Sequence, residues 1–214
     1  MNKPTSDQIN QLSLASHFLG RLFFLAPSQE VWDELKEIKD MEWLFDDASE
    51  EELEYFEMLK NSLVMNLDEI AVDHAQLFTG PGDLKAAPWA SIYVSEDKQV
   101  FGDETIAVRE YYEKYQHKTP NPFREPEDHI GLEFQFIGML LMHLNQALDN
   151  ETYAYIMTDT QNFIAYHFIP WAPDCLMDVK NNAQTEFYQA IGGLAFLLML
   201  RYKQILLPDE QQLN

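Results

Sequence analysis

Cysteine and basic residues are scarce in this chain of 214 residues. The single cysteine, Cys175, cannot form an intramolecular disulfide or a cysteine-rich zinc site, so a reducing compartment, the cytoplasm, is expected. Fourteen basic residues against thirty-six acidic ones give a net charge of -22. This charge argues against binding to nucleic acid or to an anionic membrane surface, and it is compatible with a cationic partner.

Long apolar runs and export signals are missing as well. The N-terminal residues lack the basic patch and the apolar stretch of a secretory signal. The most apolar run, residues 190–200, falls well short of the roughly 20 residues that span a bilayer. No membrane insertion is therefore expected.

Glycine is also rare, with eight in the chain, and helical periodicity takes up most of the sequence. Apolar residues recur at helical spacing and strict alternation is nearly absent, so an all-α helical bundle is predicted. The first helix is expected over residues 6–25 after a capping box of Thr5 and Gln8, and Ser49 with Glu52 forms a second box. Two short pieces, residues 90–94 and 99–101, are β-prone; of the two interpretations, a hairpin and an extended loop, the loop is predicted.

A proline-rich linker over residues 116–126 separates two helical parts, 1–119 and 120–214, which are expected to form one compact domain. The N-terminal part contains an acidic stretch at residues 30–60. Two interpretations of this stretch remain open, a solvated helix face and a docking surface for a basic peptide.

Sequence signatures of enzymes are absent. The chain has no phosphate-binding loop, no dinucleotide fingerprint, no zinc-protease motif and no nucleophile elbow. A nucleotide-binding function therefore has no residues to support it. The six histidines show no ligand spacing, so neither a metal nor another cofactor is expected.

The densest group of polar residues is Glu125–His129, followed at helical spacing by Glu133. A structural explanation is available, because Pro126 suits the first position of a helix and Glu127 and Asp128 would then lie in its first turn. A functional explanation also holds. Asp128 and the histidine after it would point about 100° apart on a helix, which suits two contacts in a groove better than a proton relay.

Trp89 lies in a loop bounded by proline and glycine, where no helical stripe requires it. It either lines a recognition surface for apolar side chains or holds the loop against the bundle.

These residues resemble the redox-enzyme maturation chaperones of the TorD/DmsD type, with the nitrate-reductase chaperone NarJ as a more distant relative. The Glu-Pro-x-Asp-His signature of that family is present in full at Glu125–His129. An aromatic-x-x-Leu-Phe element is matched in part at 74–78, where His74 replaces the usual aromatic residue. Gly80-Pro81, the 88–93 stretch and Phe187-Tyr188 follow in the expected order, so the resemblance spans most of the chain.

The resemblance implies a chaperone of anaerobic respiration, not an enzyme, built as a bundle of about ten helices. Family members bind the twin-arginine leader and the apoprotein of a molybdenum reductase, assist cofactor insertion and delay export. Cofactor-biosynthesis proteins are further candidate partners. A hinge at Pro122 and Pro126 would allow a monomer or a domain-swapped dimer.

A leader with paired arginines and an apolar stretch needs carboxylates beside a nonpolar groove. Glu125 and Asp128 are predicted to meet the basic region, and His129 is predicted to shape the groove. The residues predicted to meet the apolar region are Leu77, Phe78, Pro88, Trp89 and Tyr93.

The alternative that this assignment leaves open is a helical metal-dependent hydrolase or lyase. It would use a cluster of Glu125, Asp128, His129 and Glu133.

Overall fold

The computed structural model describes residues 3–38, 46–120 and 125–207. The predicted all-α class is confirmed, with ten α-helices in these ranges and two π-helical turns, Ala75–Thr79 and Ile164–Phe168. The helices are α1 (Ser6–Phe24), α2 (Gln29–Glu37), α3 (Glu50–Ser62), α4 (Leu67–His74), α5 (Ala90–Val94), α6 (Asp103–Lys114), α7 (Ile130–Gln146), α8 (Asn150–Phe163), α9 (Ala172–Asn182) and α10 (Glu186–Leu206). Within the described part of the chain, no helix combines the length and apolar character needed to cross a membrane.

Two helices begin where the local capping signals predict. At α1 the Thr5 N–H donates to Gln8 Oε1 at 2.9 Å and the Gln8 N–H donates to Thr5 Oγ1 at 3.2 Å. At α3 the same reciprocal pair joins Ser49 and Glu52, at 2.7 and 3.2 Å. Each box satisfies two N–H groups that a helix end leaves without an internal partner, which stabilises the first turn.

The prediction that residues 90–101 form a loop is wrong for the first five, which make the short helix α5. The start of this helix is held by hydrogen bonds to Asp128, which is distant in the sequence. The Ser91 N–H donates to Asp128 Oδ2 at 2.8 Å, and the Ala90 N–H donates to the Asp128 carbonyl at 3.0 Å. A helix end capped from another segment leaves no local signal in the sequence.

The described residues divide into two compact units. Unit 1 contains those within 1–24, 88–173 and 198–214, and unit 2 those within 25–87 and 174–197. Contacts thus group the chain differently from the predicted parts 1–119 and 120–214, and that division stays a prediction. The predicted hinge also stays a prediction: Pro126 is buried in unit 1, whereas Pro122 lies outside the described residues.

The core of unit 1 is centred on α1 and α7. Gly20 and Gly131 are packed against each other, and a Cβ added at either would lie 2.7 Å from the other's carbonyl oxygen. The absence of side chains there lets the two backbones approach closely. Phe23 and Phe134 stack beside this crossing with ring centroids 6.0 Å apart, and Ser13 Oγ donates to the Gly138 carbonyl at 2.7 Å.

The core of unit 2 contains a buried aspartate at the start of α10. Asp73 accepts hydrogen bonds from the Gln184 and Thr185 N–H groups at 2.8–3.0 Å and from Thr185 Oγ1 at 2.6 Å. Thr185 Oγ1 in turn accepts from the Tyr188 N–H at 3.4 Å, so the Asp73 carboxylate completes the N-terminal cap of α10 by holding Thr185, and it favours the helix through its dipole. Unit 2 is therefore held by a cap that joins two distant parts of the sequence.

Candidate functional site

Two segments singled out in the sequence meet in unit 1. Trp89 and His129 form an isolated antiparallel bridge. The Ile130 N–H donates to the Pro88 carbonyl at 2.7 Å beside it. The Pro88-Trp89 stretch and the Glu125–His129 signature thus form one candidate site, which we call the Trp89–Glu125 site.

Asp128 forms the buried floor of this site. Its exposed fraction is 0%, and Thr105 Oγ1 of α6 donates to its Oδ1 at 2.8 Å while Oδ2 accepts from Ser91 of α5. Both carboxylate oxygens therefore bond within the chain. Asp128 ties α5 and α6 to the signature segment and positions its neighbours.

His129 lies at the N-terminal cap of α7, so the predicted placement of Pro126, Glu127 and Asp128 in the first helical turn is wrong. The helix begins at Ile130, and His129 Nδ1 accepts from the Gly131 N–H at 3.0 Å. A nitrogen that accepts a hydrogen bond carries no proton, so the imidazole caps the helix in its neutral form. A neutral imidazole also avoids placing a positive charge at the positive end of the helix dipole.

Glu127 pairs with a cation that the sequence did not reveal. Arg109 of α6 donates from Nε and Nη2 to the two carboxylate oxygens, each at 2.8 Å, and Tyr112 Oη donates to the Glu127 carbonyl at 3.0 Å. The hydrogen bond to Glu127 raises the pKa of Arg109. This bidentate ion pair holds the Glu125–His129 segment against α6.

Glu125 and Trp89 form the accessible edge of the site. The Trp89 Nε1–H donates to Glu125 Oε1 at 2.7 Å, and both side chains are partly exposed. Burial raises the pKa of Glu125, and the nearby Asp128 carboxylate raises it further, although the Trp89 hydrogen bond opposes this. A cation placed beside Glu125 would relieve that cost and favour the ionised carboxylate.

Tyr93 continues the site along α5. Its ring lies 5.7 Å from that of Trp171, whose Nε1–H donates to Glu133 Oε2 at 3.3 Å. Glu133 is fully buried, and its Oε1 has no hydrogen-bond partner among the described residues. Burial raises the pKa of Glu133 well above its ordinary value, which favours a neutral carboxylic acid there.

Leu77 and Phe78 lie in unit 2, in the π-helical turn that follows α4. Both are buried, and the Phe78 ring packs edge-on against His74 at 5.3 Å and Tyr188 at 5.5 Å. His74 thus takes an aromatic packing position although the family resemblance expects Tyr, Phe or Trp there. Burial lowers the pKa of His74 to about 4, so the ring is neutral near pH 7.

The metal-cluster alternative finds no support in the geometry. No group of three or more His, Cys, Asp and Glu side chains in ranges 3–38, 46–120 and 125–207 is arranged to hold a metal ion. Glu125, Asp128, His129 and Glu133 each bond to different protein groups. The four side chains that the alternative required therefore have separate structural partners.

Sequence reasoning missed the residues that hold the site in place. Ser91, Thr105 and Arg109 bond to the signature from 18 to 37 positions away. Asp73 was missed for the same reason, because its partners are 111 and 112 positions away. The only signal in the sequence was the position of Asp73, an acidic residue directly before the 74–78 element. No capping pattern near it indicates which helix it contacts.

Comparison with known proteins places these features in a family. The profile of the nitrate reductase delta subunit family matches residues 27–177. The chain is 26% identical over 202 residues to the probable Tat proofreading chaperone DmsD of Haemophilus influenzae, covering 91% of each chain. It is 32% identical over 164 residues to the chaperone protein TorD of Histophilus somni, covering 73% of this chain and 78% of that one. With the Tat proofreading chaperone DmsD of Salmonella typhi, the identity is 30% over 134 residues, covering 62% and 60%.

A solved structure shares the fold. The putative redox enzyme maturation protein from Archaeoglobus fulgidus superposes with a TM-score of 0.53 at 16% identity, over 92% of this chain and 96% of that one. The fold, the signature and the sequence relatives together define a helical chaperone of the DmsD/TorD class. The chain belongs to the nitrate reductase delta subunit family, within its DmsD/TorD chaperones. This is a family of chaperones, not of enzymes.

Proposed function

We propose that this chain is a cytoplasmic chaperone that binds the twin-arginine signal peptide and the apo form of a molybdenum-cofactor oxidoreductase. It assists cofactor insertion and delays export until the enzyme is mature. Its relatives, a Tat proofreading chaperone and the chaperone TorD, support this class of client. The net charge of -22 is compatible with a basic peptide partner.

The observation that carries the proposal is the pairing of Glu125 with Trp89. A half-buried carboxylate offers a charge-assisted hydrogen bond to an arginine, and the indole beside it offers an aromatic face. A twin-arginine leader supplies both complementary groups, the guanidinium and the adjoining apolar side chains. Because burial disfavours an isolated Glu125 carboxylate, an arginine there meets a group that gains from being paired.

The other predicted contact residues take roles set by their burial. Asp128, His129 and Pro88 hold the accessible edge in place, and Tyr93 on α5 extends its aromatic surface. Leu77 and Phe78 are buried, so they support unit 2 from within and act on apolar recognition only by shaping its surface. Burying one aromatic side chain contributes on the order of 1.5–3 kcal/mol, so a few such contacts sustain micromolar binding after the leader is ordered.

Assembly is part of the proposal. The chain works as a monomer or as a dimer that exchanges halves near Pro122 and Pro126, with cofactor-biosynthesis proteins as further partners. Size-exclusion chromatography with light scattering distinguishes the monomer from the dimer.

The test of this function is calorimetric titration of the purified chain with leader peptides from several molybdenum reductases. A leader that binds with a Kd on the order of micromolar should bind at least about tenfold more weakly when both arginines are replaced. Glu125→Gln should weaken binding of the intact leader about tenfold and should have little effect on the replaced leader.

Glu96→Gln provides the matched control, because Glu96 is an exposed carboxylate in the same unit. This variant should bind the leader like the unmodified chain. Failure of the folded chain to bind any leader would overturn the proposed function.

A further inference from the structure

Unit 2 carries an open groove that neither the signature nor the predicted contact residues include. Two adjoining cavities of about 440 and 340 Å³ lie along α4, the π-helical turn and the loop that follows it, and the larger one reaches the start of α10. Both cavities are lined by Val72 and Gln76, so they form one continuous depression. We call it the α4 groove.

The floor of the α4 groove is apolar and accessible. Val72 lies at the centre, where both cavities meet, and has an exposed fraction of 57%. Met65 lines the larger cavity, and Pro81 and Leu84 line the smaller one. A concave surface with accessible apolar side chains is typical of a binding site for apolar groups.

The wall of the groove is formed by a tight turn at Gly80. The Gly80 N–H donates to the Ala75 carbonyl at 2.5 Å and closes the π-helical turn. A Cβ at this position would lie 2.5 Å from the same oxygen, so only glycine fits without movement of the backbone. The turn therefore has a defined shape, and π-helical turns occur often at functional sites.

The rim of the groove is acidic. Asp68 and Glu69 line the larger cavity, and both are exposed. Asp83 and Lys85 line the smaller one. Three carboxylates at the rim against one lysine favour a partner that carries positive charge next to apolar side chains.

We propose that the α4 groove binds the apolar stretch of the twin-arginine leader, with a basic residue of the leader at the Asp68 and Glu69 rim. This inference rests on the proposed function and adds a second contact surface, in unit 2, to the Trp89–Glu125 site of unit 1. The leader fits because one short segment of it combines cationic and apolar side chains, which is the chemistry that the rim and the floor require.

The direct test places a charge on the floor of the groove. Val72→Asp should weaken leader binding about tenfold, because an apolar segment would bury an unpaired carboxylate. Val72→Ser, which adds no charge, should weaken it about threefold. Val64→Asp is the matched control, since Val64 belongs to the same unit, is 91% exposed and does not line the groove. It should bind like the unmodified chain.

A second arm tests the rim. The double variant Asp68→Asn with Glu69→Gln should bind the leader about threefold more weakly at low salt, and the difference should vanish at high salt because exposed charges are screened. The charge-matched control is Glu51→Gln with Glu54→Gln on α3, whose side chains are exposed and lie outside the groove. Thermal unfolding followed by circular dichroism checks that all variants are folded.

The outcomes separate this inference from the proposed function. If the unmodified chain binds no leader, the proposed function fails and the inference fails with it. If the unmodified chain binds the leader, and both Val72 variants bind as tightly as Val64→Asp, only the inference is overturned. It is also overturned if the Val72 variants lose affinity for the precursor without its leader and keep full affinity for the leader peptide.

Discussion

Asp128 in unit 1 and Asp73 in unit 2 both connect distant segments of the chain through a buried, hydrogen-bonded carboxylate. Each is a buried aspartate that accepts backbone N–H groups at the start of a remote helix. Each also accepts a threonine hydroxyl, from Thr105 in unit 1 and from Thr185 in unit 2. A buried carboxylate that is fully hydrogen-bonded can join distant segments without the cost of an unpaired charge.

The two aspartates differ in what surrounds them. Asp128 lies three positions from Glu125, in the segment that bridges to Trp89, so its hydrogen bonds position an accessible binding edge. Asp73 caps α10, a 21-residue helix, and also lines the α4 groove. The same device therefore serves mainly local positioning in unit 1 and helix stability in unit 2.

The largest effect is expected for Asp73→Ala, which removes the cap of α10 and leaves the N–H groups at 184 and 185 without their acceptor. We expect the free energy of unfolding to fall by about 3 kcal/mol, measured by urea denaturation. Asp33→Ala, at an exposed aspartate of the same unit, should change it by less than about 0.5 kcal/mol. Equal effects of the two variants would show that the Asp73 cap adds nothing.

Asp128→Ala should lower stability less than Asp73→Ala does, and it should also weaken leader binding. Removing two hydrogen bonds should lower the free energy of unfolding by about 2 kcal/mol. Because α5 and α6 then lose their side-chain hydrogen bonds to the signature segment, affinity for the leader should fall about tenfold, measured by calorimetry below the unfolding transition. An unchanged affinity would contradict the positioning role of Asp128. The two aspartates would then both serve stability alone.

The smallest effect is a dependence on pH that differs between the units. In unit 2, burial lowers the pKa of His74 from 6.5 to about 4. The unfolded chain therefore binds a proton where the folded chain does not, so this contribution to stability is complete above pH 6.5 and is lost as the pH falls toward 4. Between pH 7 and pH 5 the free energy of unfolding should fall by about 1.5 kcal/mol more than in His74→Phe.

Glu133 in unit 1 should show the opposite sign. Burial raises the pKa of Glu133, so its contribution to stability is complete below its ordinary value of 4.5 and is lost as the pH rises through the raised value. Urea denaturation over a series of pH values, on the unmodified chain, His74→Phe and Glu133→Gln, separates the two contributions. If neither substitution changes how the free energy of unfolding depends on pH, then burial does not shift the pKa of His74 or of Glu133.

Local features of the sequence were enough to predict much of the fold. The capping pairs Thr5 with Gln8 and Ser49 with Glu52 lie three positions apart, so their hydrogen bonds form within a single helical turn and can be read directly. The periodic apolar stripe that predicts α1 is likewise a property of one segment. The Glu125–His129 signature identified the family because its residue types occur in a short, ordered string.

The candidate site depended on contacts that no short segment contains. Local pattern alone favours a helical turn for the signature and a loop for residues 90–94, whereas the signature precedes α7 and residues 90–94 form α5. The amino-acid sequence alone was enough to identify a helical, acidic chaperone of this family. Helical periodicity, charge and a short motif can each be recognised without knowing which distant residues are in contact. Tertiary structure alone decided that Asp128 is buried, that Trp89 meets Glu125 and that Asp73 caps α10, because each hydrogen bond joins groups 23 to 112 positions apart that only folding brings within 3 Å.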